Sequence, residues 1–317
     1  DCLGVRGIAR DLAASGIGQL KDLKVSEIKG EFDSFINWKI DLNDSKKNLC
    51  PKIFGRSFQN LENKESPDWL KKRLLAVDQR PITSLVDITN YIMIDLGRPL
   101  HAYDVDKIEG DELIVRQSKN GEDFVALNGT TYKLDEDMLV ISDKHGVDDL
   151  AGIMGGERTG VTEKTTKMFL EAAIFDPISI AKTGRKLNLH SEARYRFERG
   201  LDYDLPELVM HYAAGLVQKI CGGRFSKIVN FQLEREKKHI KFNPDITYKL
   251  TGVNVENKFS ETILNKLGFT INYIDSIWDV IVPSWRSDID GVADIVEEII
   301  RINGYSSIPT TKLSRNN

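Results

Sequence analysis

Several features that mark whole classes of protein are missing from this sequence. No apolar run approaches the length of about 20 residues that a membrane-spanning helix needs, and no secretory signal is visible. The cysteines Cys2, Cys50 and Cys221 lie far apart and form no CxxC pair, so neither a zinc site nor a disulfide framework is indicated. Unpaired cysteines are typical of a reducing compartment, and we therefore expect a cytoplasmic protein without a membrane partner.

Charge and complexity exclude further classes. The net charge of −4 argues against a protein that binds polyanions over its whole surface, so any contact with RNA must depend on local basic clusters. Repeats and low-complexity tracts are absent. With 317 residues, 41% apolar and 29% charged, the chain has the composition of a globular protein and the length of two or three domains. Because it starts at Asp1 rather than at Met, we expect it to be a piece of a longer protein.

The clearest helix signal lies in residues 85–104, LVDITNYIMIDLGRPLHAYD. Apolar residues there recur three or four positions apart and share one helix face, namely Leu85, Ile88, Ile92 and Leu96. Gly97 can adopt the left-handed conformation that ends a helix, and Pro99 prevents its continuation. The pattern therefore predicts a helix that ends at Gly97 and leaves His101 in an extended segment after it. Asn90, within the helix, needs hydrogen-bond partners if it is buried.

Two further stretches have both an ordinary and a functional interpretation. Glycine is concentrated in LAGIMGG, where Gly152, Gly155 and Gly156 predict either a tight turn or a backbone surface brought close to a ligand. Glu171 lies inside the apolar run FLEAAIF, where an ionised carboxylate is costly unless it is hydrogen-bonded or opens into a pocket. The residues alone leave both interpretations open.

Charged residues form two clusters. Between positions 182 and 199, six basic residues stand against two acidic ones, which gives a local net charge of +4. Such a run is usually a solvated face, but in an acidic protein it is also the best candidate for phosphate contact. The acidic cluster consists of Asp288, Asp294, Glu297 and Glu298, of which the last three share a helix face. It fits either a solvated helix start or an oxygen-rich magnesium site.

Four long motifs resemble the β subunit of bacterial phenylalanyl-tRNA synthetase, and they occur in the order in which that family has them. They are DITNYIMIDLGRPLHAYD at 87–104, LAGIMGG at 150–156, FLEAAIFDPISIAKTGRKLNLHSEARYRFERGLD at 169–202 and VPSWRSDIDGVADIVEEIIRINGY at 282–305. None has a low-complexity character, so the motifs are specific, and together the resemblance covers nearly the whole chain.

The resemblance implies an α+β fold with several domains. Residues 1–60 would be the remnant of an N-terminal structural module, and residues 61–232 an editing domain of the tRNA-binding B3/B4 type. Residues 233–310 would form a small α+β domain of the B5 type, followed by a disordered tail at 311–317. The highly charged stretch 233–242 agrees with a boundary at that point.

The same resemblance implies roles for the residues at matching positions. Glu171 would read a tyrosine hydroxyl, and the residues that hold the terminal adenosine or the attacking water would be His101, Asn90 and Thr89. The amino-acid pocket would be lined by Gly155, Gly156, Ser191 and Ala193. Contact with tRNA is expected at Lys182, Arg185, Arg194 and Arg196, and Mg²⁺ is expected at Asp288, Asp294, Glu297 and Glu298. We favour a positioning role for His101 over that of a general base, because the sequence shows no carboxylate beside it.

The implied activity is proofreading by hydrolysis of mischarged tyrosyl-tRNA(Phe). A pocket shaped for Phe rejects Tyr by only about a hundredfold, whereas a second pocket that hydrogen-bonds the hydroxyl discriminates by on the order of 10⁴–10⁵. The expected partners are tRNA(Phe) and the α subunit, in a heterotetramer of two α and two β subunits. Aminoacylation, and with it ATP, would belong only to the complete synthetase. Two alternatives remain: a non-catalytic scaffold that binds tRNA and the α subunit, and a stand-alone aminoacyl-ester hydrolase.

Overall fold

The computed structural model describes residues 2–274 and 276–311. Contacts between residues divide the chain into two compact units. The large unit contains Leu3–Val5 and Leu23–Glu234, and the small unit contains Cys2, Arg6–Asp22 and the described residues from Arg235 to Thr311. This division has no boundary near residue 60, where the sequence predicted one, because the strand that ends at Gln59 pairs along both edges inside the large unit. Of the predicted disordered tail, residues 312–317 lie outside the described residues.

Helices and strands are interspersed along the chain, and the predicted α+β class is confirmed. The α-helices are α1 Val5–Ala14, α2 Asp68–Leu75, α3 Ser84–Leu96, α4 Pro177–Lys186, α5 Glu192–Phe197, α6 Leu205–Cys221, α7 Asp245–Thr251, α8 Asn257–Leu267 and α9 Val292–Asn303. The strands are β1 Asn37–Asp41, β2 Lys52–Gln59, β3 His101–Asp104, β4 Glu112–Gln117, β5 Asp123–Val125, β6 Thr131–Lys133, β7 Leu139–Ser142, β8 Val147–Leu150, β9 Met154–Gly155, β10 Met168–Ile174, β11 Arg224–Gln232, β12 His239–Phe242, β13 Thr270–Ile274 and β14 Ile277–Ile281. Among the helices described, none has the length and apolar character required to cross a bilayer.

The large unit contains a four-stranded antiparallel sheet in the order β11-β2-β10-β3. Side chains alternate along β10, because successive residues of a strand point to opposite faces. Leu170 and Ala172 belong to a buried cluster that includes residues of α3 and α6, whereas Phe169 and Ala173 belong to a second cluster with residues of β4 and β7. Glu171 therefore points to the same side as Phe169, away from the cluster that contains Leu170 and Ala172.

A five-stranded sheet in the order β1-β4-β7-β8-β9 supplies the other side of that second cluster. Its β1 and β4 run parallel, and the remaining neighbours run antiparallel. Strands β5 and β6 form a separate hairpin. The two larger sheets thus enclose the apolar layer into which Glu171 projects.

Helix α3 ends as the sequence predicted. Gly97 has a φ of 68°, the left-handed conformation that glycine adopts without strain, and β3 begins four residues later at His101. The intervening Arg98 is fully buried, and its guanidinium donates to the backbone carbonyls of Ala173 and Asp202. These hydrogen bonds tie the segment before His101 to the end of β10.

The small unit is built on a three-stranded antiparallel sheet in the order β12-β14-β13. Its core includes Phe242 of β12, Leu264 of α8, Val280 of β14 and Ile299 of α9. Helices α8 and α9 pack against the strands β13 and β12 of this sheet.

Candidate functional site

Two cross-strand pairs form the floor of a cavity in the large unit. His101 of β3 is directly opposite Glu171 of β10, and Asp149 of β8 is directly opposite Gly155 of β9. Residues paired in this way have side chains on the same face of their sheet, about 5 Å apart. All four line one cavity of about 250 Å³.

Residues from five distant parts of the chain surround this cavity. Thr89 and Asn90 come from α3, and Ser191 and Ala193 come from the start of α5. Leu127, which follows β5, contributes to the apolar part of the lining. The structure therefore brings together every residue predicted for catalysis or for the amino-acid pocket except Gly156. A β-carbon at Gly156 would lie 2.7 Å from the backbone oxygen of Asp148, so this glycine permits the close approach of two backbone segments beside the cavity.

His101 has an unusual environment for a histidine. Its side chain is 19% exposed, and its ring packs edge-on against Tyr103 with 4.3 Å between the ring centroids. Burial lowers the pKa of His101 to about 4, so the imidazole is neutral at physiological pH. Its Nε2 lies 3.7 Å from Oδ2 of Asp149, a distance longer than a hydrogen bond. The sequence shows no carboxylate beside His101, and the structure places Asp149 there.

Glu171 is the buried acceptor of the site. The carboxyl group is 4% exposed and accepts a hydrogen bond of 2.9 Å from the hydroxyl of Tyr103. Burial raises the pKa of Glu171 to about 7, although the hydrogen bond from Tyr103 acts in the opposite direction. Burial and the negative charge of Glu171 raise the pKa of Asp149 well above its ordinary value. The cavity thus contains two carboxyl groups that keep protons more readily than surface carboxyl groups do.

Tyr103 and Asp149 are the site residues that the sequence analysis did not identify. Tyr103 is two positions after His101 on β3, so strand periodicity places both side chains on one face once this segment is known to be a strand. Asp149 follows Asp148 in a four-residue strand that ends at Leu150, immediately before the glycine-rich loop. The sequence carries no signal that marks Asp149 as buried, because acidic residues are mostly exposed.

Ser191 fixes the edge of the cavity at α5. As the residue that caps this helix, it accepts a hydrogen bond of 3.0 Å from the backbone N–H of Arg194. Its hydroxyl donates, over 2.6 Å, to the backbone carbonyl of Ile153 in the glycine-rich loop. Ser191 thereby holds the start of α5 against that loop and leaves Ala193 at the cavity wall.

The residues predicted to contact tRNA divide into two groups. Lys182 and Arg185 are exposed on α4. Arg194 is buried and donates to Glu198 over 3.1 Å and to the carbonyl of Leu189. The predicted role of Arg194 is therefore not supported by its placement, because its guanidinium is already engaged inside the fold.

Arg196 departs from the prediction for the same reason. The side chain is buried, and its guanidinium donates to the backbone carbonyl of Leu3 over 3.0 Å and to the carboxylate of Glu192 over 2.6 Å. With its donors directed at these acceptors, Arg196 holds the fold together rather than presenting a charge to phosphate.

The predicted magnesium ligands are engaged in other interactions within the small unit. The buried Glu298 accepts hydrogen bonds of 2.7 Å from both Arg286 and Arg301, and Arg286 also binds both oxygens of Asp288. Asp294 accepts from the backbone N–H groups of Asp290 and Gly291 at the start of α9. Glu297 is exposed, with the hydroxyl of Tyr305 3.5 Å away.

These four carboxylates do not fit a magnesium ion as they are placed. Two arginines bind Asp288 and Glu298, and two backbone amides bind one oxygen of Asp294, whereas Mg²⁺ requires oxygen ligands converging on one point at about 2.0–2.1 Å. In residues 2–274 and 276–311, no three side chains of His, Cys, Asp or Glu gather closely enough to hold a metal ion. Three of the four carboxylates are thus engaged in ion pairs or in helix capping as they are placed.

Comparisons with known proteins identify both parts of the chain. A family model described as "B3/4 domain" matches residues 49–222, and one described as "tRNA synthetase B5 domain" matches residues 240–305. A phenylalanine–tRNA ligase beta subunit of Paramagnetospirillum magneticum is 48% identical over 317 residues, which covers 99% of this chain and 40% of that protein. A subunit of the same name from Rhodopseudomonas palustris is 46% identical over 318 residues, with coverage of 99% and 39%.

Among solved structures, an N-terminal fragment of the phenylalanyl-tRNA synthetase beta-subunit from Pyrococcus horikoshii matches with a TM-score of 0.46 and 17% identity. It covers 95% of this chain, which in turn covers 83% of that fragment. The chain spans about 40% of the length of the curated relatives it matches. Because the B3/4 model matches more than half of the chain, the chain belongs to the B3/4 domain family. Its resemblance to phenylalanyl-tRNA synthetase β subunits is confirmed, with a B5 domain following the B3/4 domain.

Proposed function

We propose that the cavity of the large unit is a proofreading site that hydrolyses the ester of mischarged tyrosyl-tRNA(Phe). Water would break the ester bond, and the products would be tyrosine and tRNA with a free terminal hydroxyl. The observation that carries the proposal is the buried acceptor Glu171 beside the neutral His101 on the neighbouring strand, with both side chains lining one cavity. At about 250 Å³ the cavity is smaller than pockets for drug-sized ligands and suits a single amino-acid side chain.

Selectivity would come from Glu171. A buried carboxylate gains a charge-assisted hydrogen bond from the phenolic hydroxyl of tyrosine, whereas phenylalanine leaves it without that partner. The aminoacylation site of a synthetase lacks this asymmetry, because a pocket shaped for Phe excludes the extra hydroxyl of Tyr only weakly.

Hydrolysis would depend on other polar residues that line the cavity. The terminal adenosine and the attacking water would contact His101, Asn90 and Thr89. A general base works best when its pKa is near the operating pH, and a pKa of about 4 makes His101 a weak base. A positioning role, in which His101 orients the water toward the ester carbon, therefore fits its environment better.

The names of the relatives support the proposed partners. Each is the beta subunit of a phenylalanine–tRNA ligase, and we propose that this chain likewise works in the cytoplasm with an α subunit and tRNA(Phe). On this view the complete heterotetramer carries out aminoacylation with ATP, and this chain contributes editing alone. The exposed Lys182 and Arg185 remain the proposed tRNA contacts of the expected set.

A deacylation assay tests the proposal. Tyrosyl-tRNA(Phe) and phenylalanyl-tRNA(Phe) are incubated with this chain, with and without added α subunit, and with a His101→Ala variant. We expect rapid loss of the tyrosyl ester, slow loss of the phenylalanyl ester, and slower loss of both with His101→Ala. If the wild-type chain cleaves neither ester in either setting, the scaffold alternative replaces the proposal. Cleavage of many different aminoacyl esters at similar rates would instead favour a general hydrolase.

A further inference from the structure

At one side of the cavity a single hydroxyl group joins two buried carboxyl groups. The Oη of Tyr103 lies 2.9 Å from Oε2 of Glu171 and 3.4 Å from Oδ2 of Asp149. All three side chains are less than a tenth exposed, and both carboxyl groups line the cavity. Of the three, only Glu171 has a role so far.

The hydroxyl of Tyr103 cannot donate a hydrogen bond to both carboxyl groups. A phenolic hydroxyl has one hydrogen to donate, and its oxygen can also accept. The shorter contact, to Glu171, is the better hydrogen bond and takes that hydrogen. The contact with Asp149 is then favourable only if Asp149 is protonated and donates to the oxygen of Tyr103. The geometry thus orders a chain of donors that runs from Asp149 through Tyr103 to Glu171.

The surrounding charges also favour a proton on Asp149 rather than on Glu171. Burial and the negative charges of Glu171 and of the adjacent Asp148 raise the pKa of Asp149 well above its ordinary value, although the contact with Tyr103 acts in the opposite direction. The other titratable groups facing this pair are the neutral His101 beside Asp149 and the buried thiol of Cys50 near Glu171. Two ionised carboxylates joined by one hydroxyl in a dry site repel each other, so the pair retains one proton over a wide pH range.

We propose that Asp149 and Tyr103 are positioning residues for Glu171: Asp149 keeps a proton and donates to Tyr103, and Tyr103 donates to an ionised Glu171. One oxygen of Glu171 is thereby occupied, and the other is left to accept the hydroxyl of the substrate. The identity of that substrate rests on the proposed function, but the place of the proton does not. A further consequence is that selectivity for the tyrosyl ester rises with pH as Glu171 ionises, while Asp149 remains protonated.

The place of the proton can be measured without any substrate. The chain is labelled with ¹³C in the carboxyl groups of Asp and Glu, and its carboxyl resonances are followed by NMR from about pH 5 to about pH 9. Asp149→Asn and Glu171→Gln assign the two signals, and Asp148→Asn separates the signal of its neighbour. We expect Glu171 to ionise first, near pH 7, with Asp149 still protonated at that point. Ionisation of Asp149 before Glu171 would overturn the proposal.

A conservative variant tests the role of Tyr103 in the same experiment. Tyr103→Phe keeps the ring that packs against His101 and removes only the hydroxyl. Without its donor, Glu171 should ionise at a higher pH than in the wild-type chain, because the hydrogen bond from Tyr103 favours the charged form. A resonance of Glu171 that titrates at the same pH with and without the hydroxyl contradicts the donor chain.

Selectivity supplies the functional test. We expect Tyr103→Phe and Asp149→Ala each to lower the ratio of tyrosyl to phenylalanyl deacylation by about tenfold, the size of one charge-assisted hydrogen bond. Asp149→Asn should lower this ratio less than Asp149→Ala does, because the amide N–H of Asn can donate to Tyr103 in place of the carboxyl group. Equal losses in the two Asp149 variants would overturn the proposal. If wild-type deacylation is absent, the proposed function fails, while the NMR titration still decides where the proton lies.

Discussion

The ring of His101 lies directly over the α-carbon of Gly155. A β-carbon built at position 155 would be 2.1 Å from Cε1 of His101 and 2.8 Å from its Nε2, closer than any real side chain approaches. The glycine-rich loop and the strand that carries His101 are thus fitted to each other at the wall of the cavity. Glycine at this position permits the ring to lie where it faces Asp149 and Glu171.

Gly155→Ala should therefore displace His101. Because the ring must move away from the new methyl group, we expect deacylation of tyrosyl and phenylalanyl esters to fall by about tenfold or more, together. Gly146→Ala is the matched control: its φ is ordinary, and its β-carbon would meet no described atom within 4 Å. Rates unchanged in a folded Gly155→Ala chain would show that the position of His101 does not matter for hydrolysis.

The stability of the chain should depend on pH through Glu171. Its pKa is about 7 in the folded chain, against an ordinary value of 4.5. A carboxyl group with a raised pKa contributes stability that is fully present below its unfolded pKa and is lost as pH rises through its folded pKa. Glu171→Gln cannot ionise, so we expect it to be more stable than the wild-type chain at about pH 8, by at most about 3 kcal/mol.

At about pH 5 the same two chains should be almost equally stable, because the wild-type carboxyl group is then largely protonated. Urea unfolding of both chains at the two pH values measures the difference. A Glu171→Gln chain that is less stable at both values would indicate a glutamate retained for structure rather than for a ligand.

Substitutions of the basic residues in α4 and α5 should have different effects: some should weaken tRNA binding, and others should lower stability. Replacing Lys182 and Arg185 together with Ala should weaken tRNA binding and reduce its salt dependence by about one unit of slope per lost phosphate contact, without changing the unfolding temperature. Arg194→Ala should instead destabilise the chain by about 1–3 kcal/mol, since the buried carbonyl of Leu189 loses its donor. Binding titrations at several salt concentrations and thermal unfolding distinguish the two effects. Unaltered binding by the double variant would remove α4 from the tRNA contact.

Magnesium should have no effect on the small unit. Because Arg286 and Arg301 already bind Glu298, added Mg²⁺ should leave the unfolding temperature unchanged. Glu298→Gln should lower stability by about 2 kcal/mol, because two charge-assisted hydrogen bonds are weakened. Asp288→Asn, at an exposed position, is the control and should lower the free energy of unfolding by less. A rise in unfolding temperature with Mg²⁺ that Glu298→Gln abolishes would restore the expected metal site.

Sequence patterns predicted those parts of the fold that are decided by residues close together in the chain. The apolar spacing of α3 and its glycine end at Gly97 were sufficient, because a helix face and a left-handed cap are decided within a few residues. The gathering of Asn90, His101 and Glu171 around one cavity was implied by the family resemblance and by no periodicity, since these residues come from separate elements.

The remaining parts of the site depend on how sheets face each other. Asp149 reaches His101 and Tyr103 only because β8 of the five-stranded sheet lies against β3 of the four-stranded sheet. A single sequence gives no register between two sheets, so the carboxylate beside His101 was not expected. The packing of one helix on another is equally hidden from a single sequence: Arg194 of α5 lies against Gly184 of α4, where a β-carbon would be 2.2 Å from its Nε. A count of charges cannot show that this arginine is buried.

The most direct test of the central claim is the ratio of two deacylation rates in Glu171→Ala, measured well below its unfolding temperature. If Glu171 reads the tyrosine hydroxyl, the loss of one charge-assisted hydrogen bond should slow clearance of tyrosyl-tRNA(Phe) by about ten- to a hundredfold. Hydrolysis of phenylalanyl-tRNA(Phe) should stay the same or rise, whereas His101→Ala should slow both esters. A ratio in Glu171→Ala equal to that of the wild-type chain would contradict the account.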